Sequence, residues 1–276
     1  MIKIENVDVF GFESAIRGMR NPMNSWDKSD TEYKLILDSK CSEDVEKAKT
    51  CGNVLVEIGN NDLKLMQSLV KAGSDHSKFM RMINVTCDIT APLYWWKEFD
   101  TYKVGTVRNS CSTMHKIHEK EFTLDDFSHE HICIRQSTDV LKETIDALNV
   151  FRDVYLNGGI LHHENGNMKC FGKKDKDLWW QMIQLLPSSY NQTRNVMMNY
   201  EVLANIYKSR KDHKLDEWKV HKTPEKHEFR NKDFTSGKWG FCDWIEDLPY
   251  SELICGNKFD PHNTVVGRRL DAGIID

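Results

Sequence analysis

The chain has 276 residues, 39% hydrophobic and 29% charged, with a formal net charge of −4 and a pI near 6.3. Those values suit a soluble globular protein with a sizeable core and exclude a global pull toward a nucleic acid polymer. No apolar run approaches the ~20 residues that span a bilayer, and MIKIENVDVFGF lacks the basic and apolar regions of a signal peptide, so no membrane partner is expected.

In chain order, residues 2–10 alternate apolar and polar as a half-buried strand does, and FESAIRGMR suits a short helix. VLVEI at 54–58 reads as a second strand. Helical spacing of Leu63, Met66, Leu69 and Val70 predicts a helix with Asn60 or Asn61 as N-cap and Gly73 just past its end. The segment 79–99 predicts a strand to about Ile89, a break at Ala91-Pro92, and a helix opening at Tyr94-Trp95-Trp96. TYKVGTVRNSCSTMHKI at 101–117 is too polar for a core helix and too long for a tight turn. Residues 139–157 form an amphipathic helix, with Leu141, Ile145, Leu148, Phe151 and Tyr155 on one side and Gly158-Gly159 ending it. Helices are also expected at 176–186, before Pro187, and at about 194–213. From about 214 a polar extension reads as loops and short elements. Helices with a minority of strands predict one α+β domain over 1–276.

Eight cysteines, Cys41, Cys51, Cys87, Cys111, Cys133, Cys170, Cys242 and Cys255, are scattered without a CxxC pair. A zinc knuckle or redox pair is unsupported, and a reduced, cytoplasmic protein is expected. His129-Glu130-His131 and His162-His163-Glu164 place adjacent side chains apart and have no further cluster at ligand spacing, so no metal site is expected. Cys111 beside Ser112 has no general base placed next to it, and no phosphate-binding glycine loop or nucleophile elbow occurs.

On the helix expected at 194–213, Asn199, Leu203, Ile206 and Arg210 make one stripe. The two apolar members draw Asn199 and Arg210 toward the core. A partly buried arginine needs an internal carboxylate, a nucleotide phosphate or a pyrimidine carbonyl. His76, in the turn Gly73-Ser74-Asp75-His76-Ser77, reads as a surface residue by local pattern.

At LLPSSYNQTRNVMMNYEVLANIYKSR, 185–210, the chain resembles the flavin-dependent thymidylate synthases. That family has a Leu-Pro pair, a helical Asn and an Arg eleven residues later, matched here by Leu186-Pro187, Asn199 and Arg210. Residues 73–112 resemble its central region: a turn with His76, a strand, an aromatic helix, and a loop like R-H-R-x-x-S-x-N-E-x-S-x-R carrying Asn109 and Ser112. The two stretches cover about a quarter of the chain. Departures are the signature's paired arginines, replaced by Asp100-Thr101-Tyr102 or Tyr102-Lys103-Val104, and Ser110, Met114 and Glu201, each at a charged family position.

The resemblance implies an α+β fold with a small antiparallel sheet, usually assembled as a homotetramer. It implies transfer of a one-carbon unit from methylenetetrahydrofolate to dUMP, with reduced FAD as hydride donor and NADPH reducing the flavin. Arg210 would be catalytic and, with Ser112 and Asn109, bind the nucleotide. His76, Asn199, Lys103 and Arg108 would face the cofactor, with Arg194 a further substitute for the missing cations. The alternative implied by the departures is a catalytically inactive nucleotide-binding or protein-interaction member of the same fold.

Overall fold

The computed structural model describes residues 2–35, 54–221 and 240–256. Cys41, Cys51 and much of the polar extension from 214 lie outside the described residues. The chain divides into two compact units. One comprises 90–100 and 110–194; the other comprises 2–89, 101–109 and 195–276.

The second unit holds β1 (Lys3–Phe10), α1 (Phe12–Arg20), the antiparallel pair β2 (Glu32–Leu35) and β3 (Val54–Glu57), and α2 (Asn60–Lys71). It also holds the greater part of β4 (Asn84–Pro92), β5 (Thr106–Ser110) and β8 (Asn191–Asn199). The order of hydrogen-bonded strands is β1-β4-β8-β5. Along β4, Val85, Cys87 and Ile89 are buried and their neighbours are half-buried, the period of two that a sheet imposes. Helix α7 (Tyr200–Arg210) follows β8 directly and buries Tyr200, Val202, Leu203, Ile206 and Tyr207.

The first unit holds α3 (Leu93–Phe99), α4 (Thr113–Lys116), α5 (Arg135–Asn157), the antiparallel hairpin β6 (Gly159–His162) and β7 (Met168–Phe171), and α6 (Lys176–Leu185). Leu141, Ile145 and Leu148 of α5 pack with Met182 of α6 and with Ile117, Phe122 and Phe127. Trp95 stacks on Phe99 at 5.1 Å, and Trp96 donates its indole N–H to Gln192 O at 2.9 Å. The α+β class is therefore present as expected, with helices beside small sheets.

Three boundaries differ from the sequence reading. The helix expected at 194–213 is strand through Asn199 and helix only from Tyr200. Gln192, Val196 and Met198 are buried in strand alternation, and the helical spacing of Leu203, Ile206 and Arg210 begins only after them. The N-cap of α2 is Gly59, not Asn60 or Asn61; the Asp30 carboxylate accepts from Asn61 N–H at 2.9 Å and Asp62 N–H at 3.1 Å. The strand runs through Ala91-Pro92 without a break, because proline can close the end of a strand.

The described part of the polar extension adds α8 (Phe241–Glu246) and α9 (Glu252–Cys255). They are short, yet Trp218, Phe241, Trp244, Ile245, Tyr250 and Leu253 are buried there. His221 Nδ1 and the Asp243 carboxylate meet at 2.6 Å, and Asp243 also accepts from His221 N–H and Gly240 N–H. Among the described residues there is no helix long and apolar enough to cross a membrane and no metal-ligating cluster.

A buried polar network of this unit centres on Asp62, which has no solvent exposure. Its carboxylate accepts from Arg20 Nε, Ser29 Oγ and Thr31 Oγ1, each at 2.6 Å. Burial alone would raise its pKa, but those hydroxyls and the guanidinium outweigh burial, so the carboxyl titrates below its ordinary value. Such a group contributes stability that is full above the unfolded value of about 3.9 and is lost as pH falls through the folded value. Asp62→Ala leaves Arg20 buried without its carboxylate and is expected to lower the unfolding free energy by about 3 kcal/mol in urea titrations at neutral pH. Asp62→Asn is expected to flatten the loss of stability below about pH 4; an unchanged acid limb would remove Asp62 as its source.

Candidate functional site

Arg210 is the last residue of α7 and is partly buried. Its Nε–H donates to the Tyr102 hydroxyl at 2.9 Å, and its Nη1 lies 2.9 Å from His213 Nε2. The guanidinium carbon is 5.7 Å from the Tyr102 ring centroid and 5.1 Å from that of Trp218. A guanidinium facing two aromatic rings is attracted to both, by about 0.5–2 kcal/mol each depending on desolvation. Trp218 is fully buried, which strengthens the attraction. The cation is thereby fixed in direction as well as place.

Tyr102 is itself fixed. Its carbonyl accepts from the Thr106 hydroxyl at 2.5 Å, closing the loop that leads into β5. Gly105 in that loop has φ +74°, and a Cβ there would lie 2.8 Å from Asn199 Nδ2 and 3.0 Å from a Val202 methyl. Only glycine satisfies both the backbone angle and this close approach to the start of α7. Lys103 and Val104 are exposed at the loop tip, and Arg108, half-buried on β5, is flanked by exposed Val107 and Asn109.

The expected site residues thus fall into distinct places. Asn199 is not on a helical stripe with Arg210; it is the N-cap of α7, its side-chain oxygen accepting from Val202 N–H at 3.0 Å. His76 is exposed in the turn after α2, its N–H bonded to Gly73 O at 3.0 Å. Ser112, in the other unit, caps the four-residue α4 by accepting from His115 N–H at 3.2 Å. Loop 101–105, the cap Asn199 and Arg210 are drawn together around α7. Tyr102, His213 and Trp218 were not singled out as site residues in the sequence. Tryptophans scattered through the polar run after 214, Trp218 the first of them, were the available sign.

Two charge positions that depart from the family pattern carry ion pairs. Glu201, in the first turn of α7, takes Arg81 in two hydrogen bonds of 2.5 and 2.9 Å. The Arg81 guanidinium is held above its ordinary pKa by that bond, with Asp75 of the His76 turn adding to the effect. In the other unit, Arg194 Nη1 donates to both Asp100 oxygens at 2.9 and 3.2 Å, with its guanidinium 4.2 Å from the Trp96 ring centroid.

No protein-family model matches the chain, and no curated protein matches it. Solved structures similar to it include a flavin-dependent thymidylate synthase, ThyX from Helicobacter pylori, complexed with FAD and dUMP. That structure is 13% identical with a TM-score of 0.47, over 77% of this chain and 86% of its own. A second structure of ThyX from the same organism, also with FAD and dUMP, gives 13% and 0.46 over 78% and 86%. The UMP/dUMP methylase PolB from Streptomyces cacaoi, bound with 5-Br dUMP, gives 12% and 0.41 over 78% and 80%. The family that the sequence resembles is therefore among its structural neighbours.

Capping and cofactor contact make different demands on Asn199. Asn199→Ala is expected to cost about 1 kcal/mol of unfolding free energy and Asn199→Asp only a fraction of that, since aspartate caps equally well. Equal losses in urea titrations of the two variants would show that the cap is not what the side chain contributes.

Proposed function

We propose that the chain is a flavin-dependent, thymidylate-synthase-like enzyme that transfers a one-carbon unit to the pyrimidine deoxynucleotide dUMP. The observation that carries the reading is the fixed guanidinium of Arg210 at the end of α7, at the position that the resemblance gives to the arginine acting on the pyrimidine. A cation held in advance of the reaction stabilises negative charge developing on a ring carbonyl without reorganisation. No enzyme nucleophile is needed for such chemistry, and burial pushes the thiols of Cys87 and Cys242 up, which keeps them unreactive.

FAD, when bound, supplies the hydride, with NADPH and methylenetetrahydrofolate as co-substrates. Lys103, exposed at the loop tip, and Arg108, partly exposed on β5, have the charge that suits an anionic dinucleotide, and His76, exposed in its turn, can add a hydrogen bond. These three would hold the flavin, while Asn109 and Ser112 would bind nucleotide with Arg210. Asn199, which caps α7 with its side-chain oxygen, would face the cofactor with those three. The proposal includes one domain over 1–276, homotetrameric assembly and a cytoplasmic location.

A second reading is a nucleotide-binding member without turnover. It is favoured by the pairs Arg194–Asp100 and Arg81–Glu201, which commit two cations to internal carboxylates. Flavin separates the two readings. The purified protein, alone or after addition of FAD, is expected to show visible flavin absorbance, and dUMP with methylenetetrahydrofolate is expected to oxidise the reduced flavin. Arg210→Ala is expected to slow that oxidation about 100-fold or more. A protein that binds dUMP but no FAD would establish the second reading, and turnover unchanged in the variant would remove Arg210 from the chemistry.

A further inference from the structure

His213 is contacted by a donor at each ring nitrogen. Its Nε2 lies 2.9 Å from Nη1 of Arg210, and its Nδ1 lies 3.2 Å from the backbone N–H of Leu215. Both neighbours only donate. A neutral imidazole has one lone pair to offer, and an imidazolium has none. One of the two contacts is therefore satisfied at a time, and protonation of the ring would lose both.

The contact with Arg210 is the shorter and the charge-assisted one, about twice the strength of a neutral hydrogen bond. It selects the tautomer with the proton on Nδ1, which leaves Leu215 N–H facing another N–H. Any oxygen acceptor that takes the Arg210 Nη1–H reverses the preference. The ring then carries its proton on Nε2, and Nδ1 accepts from Leu215. One proton leaves and one joins through solvent, so the charge of the ring does not change.

We propose that His213 is a positioning residue for Arg210: as the neutral Nδ1–H tautomer it holds the guanidinium in the unliganded protein. It then yields that N–H to an oxygen of the pyrimidine nucleotide and switches tautomer. The inference rests on the reading that Arg210 meets the nucleotide, but its first half is open to test without any ligand. The exchange repays part of the cost of displacing the histidine, because Leu215 N–H gains an acceptor when Arg210 turns to the substrate. The backbone helps to keep the ring in reach, since His213 N–H bonds to Arg210 O at 3.0 Å.

The experiment is 15N NMR of the His213 ring in histidine-labelled full-length protein. Unliganded wild type is expected to show an unprotonated Nε2, and Arg210→Ala is expected to show the proton on Nε2. A protonated Nε2 in the wild type, or the same tautomer in both proteins, overturns the positioning role. Saturation of the wild type with dUMP is expected to move the proton to Nε2, and dUMP that binds without moving it overturns the exchange. Failure of dUMP to bind overturns the nucleotide reading and the exchange with it, while the unliganded spectra still decide the hold on Arg210. In turnover, the bond lost in His213→Ala is one that the nucleotide has already displaced, so the variant is expected to lower KM for dUMP about 10-fold with kcat less affected. His213→Gln, whose amide oxygen can accept from Arg210, is expected to return KM toward wild type; a kcat loss with KM unchanged, or no return, counts against the role.

Discussion

Strand β8 becomes helix α7 at a single residue, and the direction of everything beyond is set there. Asn199 closes the turn by accepting from Val202 N–H, while Tyr200 N–H bonds to Ile83 O at 3.0 Å and the Tyr200 ring meets Phe12 edge-on at 5.6 Å. Leu203 and Ile206 then bury the same side of the helix. With both its cap and its buried face anchored, α7 is a rigid rod that carries its last residue about 16 Å from its first turn. Gly105 ties loop 101–105 to the cap, and that loop supplies Tyr102 to Arg210 at the far end. One junction thus orders both the helix that bears the cation and the loop that holds it.

Charge is distributed in a consistent way around this frame. Glu201 at the start of α7 suits the positive end of the helix dipole and also binds Arg81. Arg210 at the other end suits the negative terminus, where its own charge is favoured before any ligand is considered. Asp100, just before the loop at 101–105, is bound by Arg194. Among the described residues, the Arg210 guanidinium is flanked by two aromatic rings and a histidine. That arrangement is suited to recognising a carbonyl or one phosphate.

Parts of this were legible in the sequence, for physical reasons that differ. Helix α5 was plain because Leu141, Ile145 and Leu148 repeat at the helical period over a long stretch. Strand β8 was not, because its alternation is interrupted by half-buried Arg194 and exposed Asn195, and a strong helical pattern starts immediately after it. Asn199 stands out in the sequence by its distance from Arg210, and its place in the structure is the helix cap. Its spacing from Arg210 is real, but it marks the helix start and not a stripe. Tyr102, His213 and Trp218 could not be read as a set, since they meet only when the loop, the end of α7 and the following turn come together. The buried aromatics of 240–256 were hidden by the polar average of the segment around them.

The central claim is that Arg210 meets a pyrimidine nucleotide. A crystal structure of the full chain grown with dUMP tests it most directly. The account predicts a uracil or phosphate oxygen within hydrogen-bond distance of the Arg210 guanidinium, with Tyr102 and Trp218 still flanking it. A nucleotide bound elsewhere, with Arg210 still held by His213, would contradict it.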